Sequence, residues 1–272
     1  MKIIDAHLHL FSQPWAEETA QSVGHHNSLE HLRQVYGELG VVHGVVMGNG
    51  GLDPAAYDHP AELLHYCVGL DGSSLRVPDL ADRVETHLRR EGCCGVKLYP
   101  GYDRTALSDP LYGPIYELAA HYGKAVAVHM GLTAFPKAYL KDCHPLALDE
   151  AAADHPRTQF VMCHFGNPFF ESAAAVLAKN PNVAADLSGL LEGRVDLNRY
   201  FREQEGYLFL LRTWMTAARA WDRLLYGTDW PIVNLEEYLH FILRLVPPAH
   251  WEEVLFGNAD RVYGLGLSGG ER

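Results

Sequence analysis

The sequence has no uninterrupted apolar stretch close to the ~20 residues that a membrane-spanning helix requires. It also has no excess of basic residues: 22 lysines and arginines stand against 34 aspartates and glutamates, a formal net charge of -12. A chain this acidic lacks the positive surface that binds nucleic acid or anionic lipid. We therefore expect neither nucleic acid nor a membrane as a partner.

Cysteines are few and show no motif. There are five, an odd number, and no Cys-x-x-Cys spacing occurs, so neither a disulfide framework nor a zinc site made of thiolates is predicted. Four of them lie in apolar, strand-like segments and are expected to be small buried side chains: Cys67, Cys93, Cys94 and Cys163. Because no secretory leader precedes the first apolar segment, we expect a cytoplasmic protein.

The first apolar segment, residues 2–10, contains two histidines that are separated by one residue. Alternate side chains of a β-strand lie on the same face, so His7 and His9 would point the same way, together with Asp5 one layer deeper. Two imidazoles on one strand face can bind a single metal ion. The chain has 16 histidines, so such a pair also arises by chance, and its meaning depends on the rest of the sequence.

Three later strand-like segments also end in a potential metal ligand. His129, His164 and Asp229 each follow such a segment directly. Four strands that deliver ligand-type residues at their carboxyl ends are typical of the active site of a (β/α)8 barrel. The length of 272 residues fits a single domain of this fold, for which ~250 residues are typical.

Strand-like and helical segments alternate along the chain, which predicts an α/β fold with a parallel sheet. The predicted strands are residues 2–8, 41–47, 65–70, 93–99, 124–129, 158–164, 182–187 and 223–228. The predicted helices are residues 28–38, 59–64, 78–90, 110–121, 144–154, 169–179, 195–219, 235–245 and 250–264. We therefore predict a slightly irregular TIM barrel of one domain over residues 1–265 and a loose C-terminal tail over residues 266–272.

Seven short motifs follow one another at barrel spacing. They are Asp5-Ala6-His7-Leu8-His9, Gly95-Val96-Lys97-Leu98-Tyr99-Pro100, Val128-His129-Met130-Gly131, Cys163-His164-Phe165-Gly166, Asp186-Leu187-Ser188-Gly189, Leu225-Tyr226-Gly227-Thr228-Asp229-Trp230-Pro231 and Phe256-Gly257-Asn258-Ala259. In this combination the chain resembles the amidohydrolase superfamily, in the branch of small barrels that contains metal-dependent hydrolases and nonoxidative decarboxylases.

The resemblance implies a role for each ligand-type residue. One divalent metal ion would be bound by His7, His9, His129 and Asp229. His164 would lie beside the ion and polarise or protonate the substrate. Three imidazoles and one carboxylate leave a position open for water or substrate, as catalytic zinc sites require. Asp229 would also take a proton from the metal-activated water and pass it to the leaving group. Zinc is the first expectation, and manganese, iron and cobalt are alternatives.

Lys97 has two interpretations. In relatives with two metal ions, a carboxylated lysine of the fourth strand bridges the ions. Here Tyr99 lies nearer the strand end, so we favour a deeper charge that pairs with an acidic neighbour or reaches the substrate. The candidate substrate contacts are Lys97, Tyr99, Arg194 and Trp230. With the other loop cations and aromatic residues they suggest a small-molecule substrate that is anionic or aromatic. Relatives are often dimers, so a homodimer is also expected.

Three classes of function fit these residues. The first is hydrolysis of a lactone, ester or amide by metal-activated water. The second is nonoxidative decarboxylation of an aromatic or enoic acid, in which the metal ion anchors the substrate. The third is a non-catalytic barrel that binds metal or ligand, and the complete set of five polar residues disfavours it. Decarboxylase relatives often carry a glutamate near their first histidine; this chain has none there, so we predict a hydrolase.

Overall fold

Eight parallel strands, hydrogen-bonded in chain order, form a nearly closed (β/α)8 barrel in the computed structural model, which describes residues 1–49 and 51–269. The strands are β1 (Ile3–Leu8), β2 (Val41–Met47), β3 (Leu64–Leu70), β4 (Cys93–Leu98), β5 (Ala125–Val128), β6 (Gln159–Met162), β7 (Val183–Asp186) and β8 (Leu224–Leu225). Beyond the short β8 the chain still pairs with β1, since the amide of Ala6 donates to the carbonyl of Tyr226 at 2.9 Å. The predicted fold class is confirmed.

The described residues contain eleven α-helices. They are α1 (Pro14–Ser22), α2 (Leu29–Leu39), α3 (Leu80–Leu88), α4 (Pro100–Asp103), α5 (Gly113–His121), α6 (Pro145–Asp154), α7 (Phe170–Lys179), α8 (Leu197–Glu203), α9 (Glu205–Ala218), α10 (Leu235–Leu245) and α11 (Asn258–Tyr263). Side-chain caps begin several of them: the hydroxyl of Ser28 accepts from the third amide of α2, and the Asn234 side chain does the same for α10. No helix in the described part of the chain is long and apolar enough to cross a membrane.

Four helix predictions differ from the structure, and one of the differences is the single-turn α4, which was not predicted. Helix α1 was not predicted, because it buries only Ala16 and Ala20, which is too small an apolar face to give a clear pattern. The helix predicted over 59–64 is wrong, since the structure has a 3-10 helix over Pro54–Tyr57 and a turn at Pro60 instead. The long helix predicted over 195–219 is two helices, α8 and α9, that meet at residue 204.

Apolar layers cover both faces of the sheet. The larger lies between the strands and the helices, and the smaller fills the barrel interior with short side chains such as Ile4, Ala6, Val45 and Val161. All five cysteines are buried and free, as the sequence predicted for four of them. Part of the predicted loose tail is anchored, because Asp260 accepts the amides of Leu267 and Ser268 at 2.8 and 2.9 Å. Residues 270–272 of that tail lie outside the described residues, and the domain limit at residue 265 stays a prediction.

The metal-free protein is expected to lose stability as the pH falls from 7 to 5. Burial lowers the pKa of His25, His43 and His164 to about 4, whereas an unfolded histidine titrates near ~6.5. Between these values the unfolded chain binds protons that the native protein excludes, so stability falls as the pH drops. Burial also raises the pKa of Asp5 and Asp103 to about 6, so their carboxyls gain protons in the native state and offset part of the loss.

For these five groups together the loss should be roughly 2–4 kcal/mol, measured by urea unfolding of protein treated with chelator near pH 7 and pH 5. His43 tests whether the buried histidines cause this loss, because it lies near the amino end of β2, away from the carboxyl ends of the strands. His43→Asn should remove about 1–2 kcal/mol of the pH-dependent loss. Equal stability of the wild-type protein at the two pH values would contradict the expectation.

Candidate metal centre

Three of the predicted ligands come together at the carboxyl end of the barrel. His7 lies near the end of β1, His9 follows it, and Asp229 lies just beyond β8. The Oδ1 atom of Asp229 is 3.3 Å from Nε2 of His7 and 3.2 Å from Nε2 of His9. The ligand atoms of these residues all lie within 4.8 Å of one another, which is the spacing of a group that can hold one ion.

The outer nitrogens of the two histidines are held by acceptors. His7 Nδ1 lies 2.8 Å from a carboxylate oxygen of Asp186, and His9 Nδ1 lies 2.9 Å from the carbonyl of Met47. In its neutral form each imidazole donates from Nδ1 and keeps a lone pair on Nε2, facing Asp229. Such an acceptor behind a histidine is typical of metal ligation, because it orients the ring and raises its basicity.

These residues fit a divalent cation. In the described structure Nε2 of His7 is buried and has no hydrogen-bond partner. Two lone pairs and a carboxylate that face one point repel one another unless a cation lies among them. The oxygen-to-nitrogen distances of 3.2 and 3.3 Å also match the edge of a tetrahedron around zinc, which is about 3.3 Å for bonds of ~2.0–2.1 Å.

The charges of Asp229, His9 and His129 agree with this fit. Burial raises the pKa of Asp229, but its close contacts with His7 and His9 outweigh this effect and hold the pKa well below its ordinary value. Burial lowers the pKa of His9, and burial with the nearby His164 lowers the pKa of His129 well below its ordinary value. Neutral imidazoles and an ionised carboxylate are the forms that bind metal. His7 differs: burial lowers its pKa, but the charge of Asp186 raises it more, so the net pKa lies well above its ordinary value and a bound cation would displace a proton from this ring.

His129, the fourth predicted ligand, lies outside the close group. Its Nδ1 is 3.1 Å from Nε2 of His164, and its Nε2 donates to the carbonyl of Leu132 at 2.9 Å. The His164 ring centre is 4.9 Å from the ring centres of both His7 and His129. The structure therefore places the five predicted polar residues in one contiguous cluster, with His164 between His129 and the group of three.

Two glycines that sequence reasoning missed make room for this cluster. His164 and Asp229 both have positive φ angles, 61° and 64°, a strained conformation for these residues that is typical of functional sites. A Cβ atom on Gly189 would lie 3.0 Å from Nδ1 of His164 and 3.1 Å from a carboxylate oxygen of Asp229. One on Gly227 would lie 2.8 Å from Cβ of His7. Both glycines lie in the quoted family motifs, which was the only available signal.

Asp5 does not share a face with His7, contrary to expectation. Its carboxylate accepts the Tyr36 hydroxyl of α2 and the Thr228 hydroxyl, each at 2.7 Å, so it lies towards the helix layer. The pairing of β1 with β2 shifts register between Asp5 and Leu8, and this irregularity turns His7 into the barrel. Asp5 also accepts the backbone amides of His7 and Thr228, so it supports β1 and the segment after β8 rather than the floor beneath the metal group.

Lys97 has a thiol as its partner rather than the carboxylate that we expected. Its buried ammonium group donates to Sγ of Cys163 at 2.8 Å and lies 5.3 Å from the centre of the Tyr99 ring. Tyr99 itself donates its hydroxyl to the carbonyl of Gly48 at 2.6 Å, and its ring stacks at 6.4 Å against His129. Of the four candidate substrate contacts, Lys97 and Tyr99 are thus at the site.

The other two candidate contacts are engaged elsewhere. The exposed guanidinium of Arg194 lies 3.4 Å from the carboxylate of Glu237, which neutralises it. Trp230 is only 1% exposed, and its ring packs at 5.2 Å from His25, so it does not line an open site in this structure. Aromatic side chains that were not singled out flank the ligands instead: Phe11 stacks on His9 at 5.2 Å, and Tyr102 packs edge-on against His129 at 5.0 Å.

The comparisons with known proteins agree with this architecture. The family model described as Amidohydrolase matches residues 4–265, so the chain belongs to the amidohydrolase family and is an enzyme of that family. No curated protein matches the sequence.

Three solved structures illustrate the likeness in fold. An amidohydrolase from Burkholderia multivorans with bound zinc is 19% identical, with a TM-score of 0.72 over 97% of this chain and 99% of that chain. A probable 2-pyrone-4,6-dicarboxylic acid hydrolase from Acinetobacter baumannii with citric acid bound is 17% identical, with a TM-score of 0.65 over 97% and 100%. A 2,6-dihydroxybenzoate decarboxylase from Rhizobium is 14% identical, with a TM-score of 0.68 over 97% and 99%.

Proposed function

We propose that this protein is a metal-dependent hydrolase of a small lactone, ester or amide, with one divalent cation held by His7, His9 and Asp229. The observation that carries the proposal is that Nε2 of His7 and Nε2 of His9 both face the carboxylate of Asp229. Their distances to its Oδ1 atom are 3.3 and 3.2 Å. His129, whose Nε2–H is donated to a carbonyl, keeps a lone pair on Nδ1 and is the proposed fourth ligand. Zinc suits this donor set, and zinc is bound in the Burkholderia multivorans relative.

The residues of the site have separate tasks in this proposal. When bound, the cation would lower the pKa of a coordinated water from ~15.7 towards ~7. Asp229 is held ionised by its two histidine neighbours, so it can accept a proton and return it to the leaving group. His164, 8% exposed and 4.9 Å from the His7 ring centre, is the second proposed proton-transfer group.

The surroundings support a small planar substrate. Phe11 and Tyr102 flank the ligands on two sides, and flat aromatic surfaces favour the stacking of conjugated rings. The buried ammonium of Lys97 offers a positive charge on the floor of the site, which supports an anionic group in the substrate. The cytoplasmic location and the homodimer stay predictions from the sequence.

Nonoxidative decarboxylation of an aromatic acid is the second candidate. The same flanking aromatic rings favour it, and the Rhizobium decarboxylase has the same barrel. Both reactions use the same ligands, so the fold does not choose between them. The difference is the nucleophile, because hydrolysis adds a solvent oxygen to the product and decarboxylation does not.

Hydrolysis in oxygen-18 water is expected to place one solvent oxygen in the product carboxylate. The screen should contain γ-valerolactone, 4-nitrophenyl acetate and acetanilide beside 2,6-dihydroxybenzoate and an enoic acid. Acid release and carbon dioxide are followed separately, and Asp229→Asn protein serves as the control for activity outside the site. Carbon dioxide release that depends on metal, with no oxygen-18 in the organic product, would replace the hydrolase proposal with the decarboxylase.

A further inference from the structure

Asp186, at the end of β7, contacts two histidines of the site at once. One carboxylate oxygen accepts Nδ1–H of His7 at 2.8 Å. The other accepts the hydroxyl of Ser188 at 2.5 Å and the backbone amides of His164 and Ser188 at 2.9 and 3.1 Å. Asp186 and Ser188 are completely buried. With four donors aimed at its two oxygens, the carboxylate has no place for a proton of its own.

These contacts determine where the hydroxyl proton of Ser188 lies. Ser188 has a single proton, and a carboxylate can only accept, so the 2.5 Å contact uses that proton. The remaining contact of the hydroxyl oxygen, 2.9 Å to Nδ1 of His164, must therefore have the imidazole as donor. Nδ1 also lies 3.3 Å from the carbonyl of Ser188, which again can only accept.

Both contacts require a proton on Nδ1 of His164, so its neutral ring has a lone pair on Nε2. That nitrogen is directed into the site, 3.1 Å from Nδ1 of His129. Since His129 donates its own N–H from Nε2 to the carbonyl of Leu132, both facing nitrogens carry a lone pair and no hydrogen bond joins them in the neutral forms. A neutral His164 in this tautomer cannot polarise a carbonyl by donating a hydrogen bond from Nε2. It can only accept a proton there or, after it has been protonated, donate one.

We propose that Ser188 is a positioning residue that holds His164 in the Nδ1–H tautomer. Asp186 fixes the orientation of both Ser188 and the ligand His7, because its two carboxylate oxygens accept from them. His164 then works as a proton acceptor in its neutral form. This inference rests on the proposed function, in which His164 transfers protons. It explains why one buried carboxylate, Asp186, contacts the metal ligand His7 directly and the proton-transfer residue His164 through Ser188.

If the Ser188 hydroxyl were only structural, its removal would not change the tautomer of His164. The chain offers a matched control. The Ser74 hydroxyl donates to the Asp71 carboxylate at 2.9 Å, and Ser74 is also buried, but it lies beyond β3 and takes no part in the cluster. Ser74→Ala therefore removes the same kind of serine-to-aspartate bond without touching His164.

The first measurement is the tautomer of His164 in the metal-free, full-length protein, read from long-range nitrogen-15 to proton NMR spectra and assigned with His164→Asn. The wild-type and Ser74→Ala proteins should show the proton on Nδ1. Ser188→Ala, which leaves only the 3.3 Å contact to the carbonyl, should shift a substantial fraction to the Nε2–H form. A wild-type Nε2–H tautomer, or no change in Ser188→Ala, would overturn the proposal.

The second measurement separates turnover from metal binding. With 4-nitrophenyl acetate as the probe, Ser188→Ala should lose about 10- to 100-fold in kcat, while its Zn²⁺ affinity, measured by competition with a chromophoric chelator, stays within about twofold. Asp186→Asn also frees His7 and should lose about 10- to 100-fold in both quantities. Ser188→Thr keeps the hydroxyl and should retain wild-type kcat, and Ser188→Cys, whose thiol is only a weak hydrogen-bonding group, replaces Ser188→Ala if that variant does not fold.

The two proposals fail in different ways. A protein that binds no Zn²⁺ and hydrolyses nothing refutes the proposed function, while the NMR tautomer still tests the role of Ser188. A Zn²⁺-dependent hydrolase whose Ser188→Ala variant keeps wild-type kcat and the Nδ1–H tautomer refutes the role of Ser188 alone.

Discussion

The Asp229→Asn variant is expected to keep its fold and to lose about 1000-fold in turnover. The amide has the shape of the carboxylate, so the positive φ of 64° and the contacts at 3.2 and 3.3 Å can be kept. It cannot accept a proton, and it is a weaker metal ligand because it is uncharged. The measurement is kcat on the substrate found in the screen, with circular dichroism and urea unfolding as tests of the fold.

The matched control is Asp222→Asn, an exposed aspartate that precedes β8 and lies 4.0 Å from Arg223. It should keep wild-type kcat, since a surface ion pair contributes little. Retention of more than about a tenth of the activity by Asp229→Asn would show that this carboxylate does not transfer the proton.

Removing His9 is expected to empty the site of metal and to abolish activity. The wild-type protein, purified without chelator, should contain one divalent ion per chain, because the two close groups of potential ligands in the described residues share His7. In the second group, Asp186 is bound to His7 and Cys163 to Lys97 by hydrogen bonds. The loss of one of the ion's ligands should reduce metal occupancy by about tenfold or more. His9 is a better target than His7, because His7→Ala would leave the buried carboxylate of Asp186 without its partner.

Metal analysis of the purified His9→Ala protein tests this expectation, and His26→Ala, which removes an exposed histidine, is the control and should keep its metal. Two ions per chain in the wild-type protein would contradict the single-metal site and would point to Lys97 as a bridging ligand. Full occupancy in His9→Ala would exclude His9 from the ligands.

The barrel was predictable because its signals are local. The strands bury apolar side chains on both faces, and all except β2 are followed by an α-helix, so alternating segments are visible in the order of residues alone. The ligand types were visible for the same reason, since His7, His9, His129, His164 and Asp229 each lie at the end of such a segment. Helix α1 escaped prediction because only Ala16 and Ala20 mark its buried face.

The partners of these side chains were decided by the tertiary structure. Asp186 and His7 are 179 residues apart, and the distance of 2.8 Å between them depends on the closure of the barrel. The thiol beside Lys97 and the carboxylate beside Arg194 likewise come from other elements of the chain.

The sequence by itself determined the eight-stranded barrel, the amidohydrolase resemblance and the residue types at the strand ends. Only the tertiary structure decided that Asp5 faces Tyr36 while His7 faces Asp229, because a register shift in β1 overrides strict alternation. Only the structure revealed the chain of contacts from Asp186 through Ser188 to His164. The physical reason is that periodicity encodes which face a side chain takes, whereas a hydrogen bond depends on the distance between atoms that strand pairing brings together.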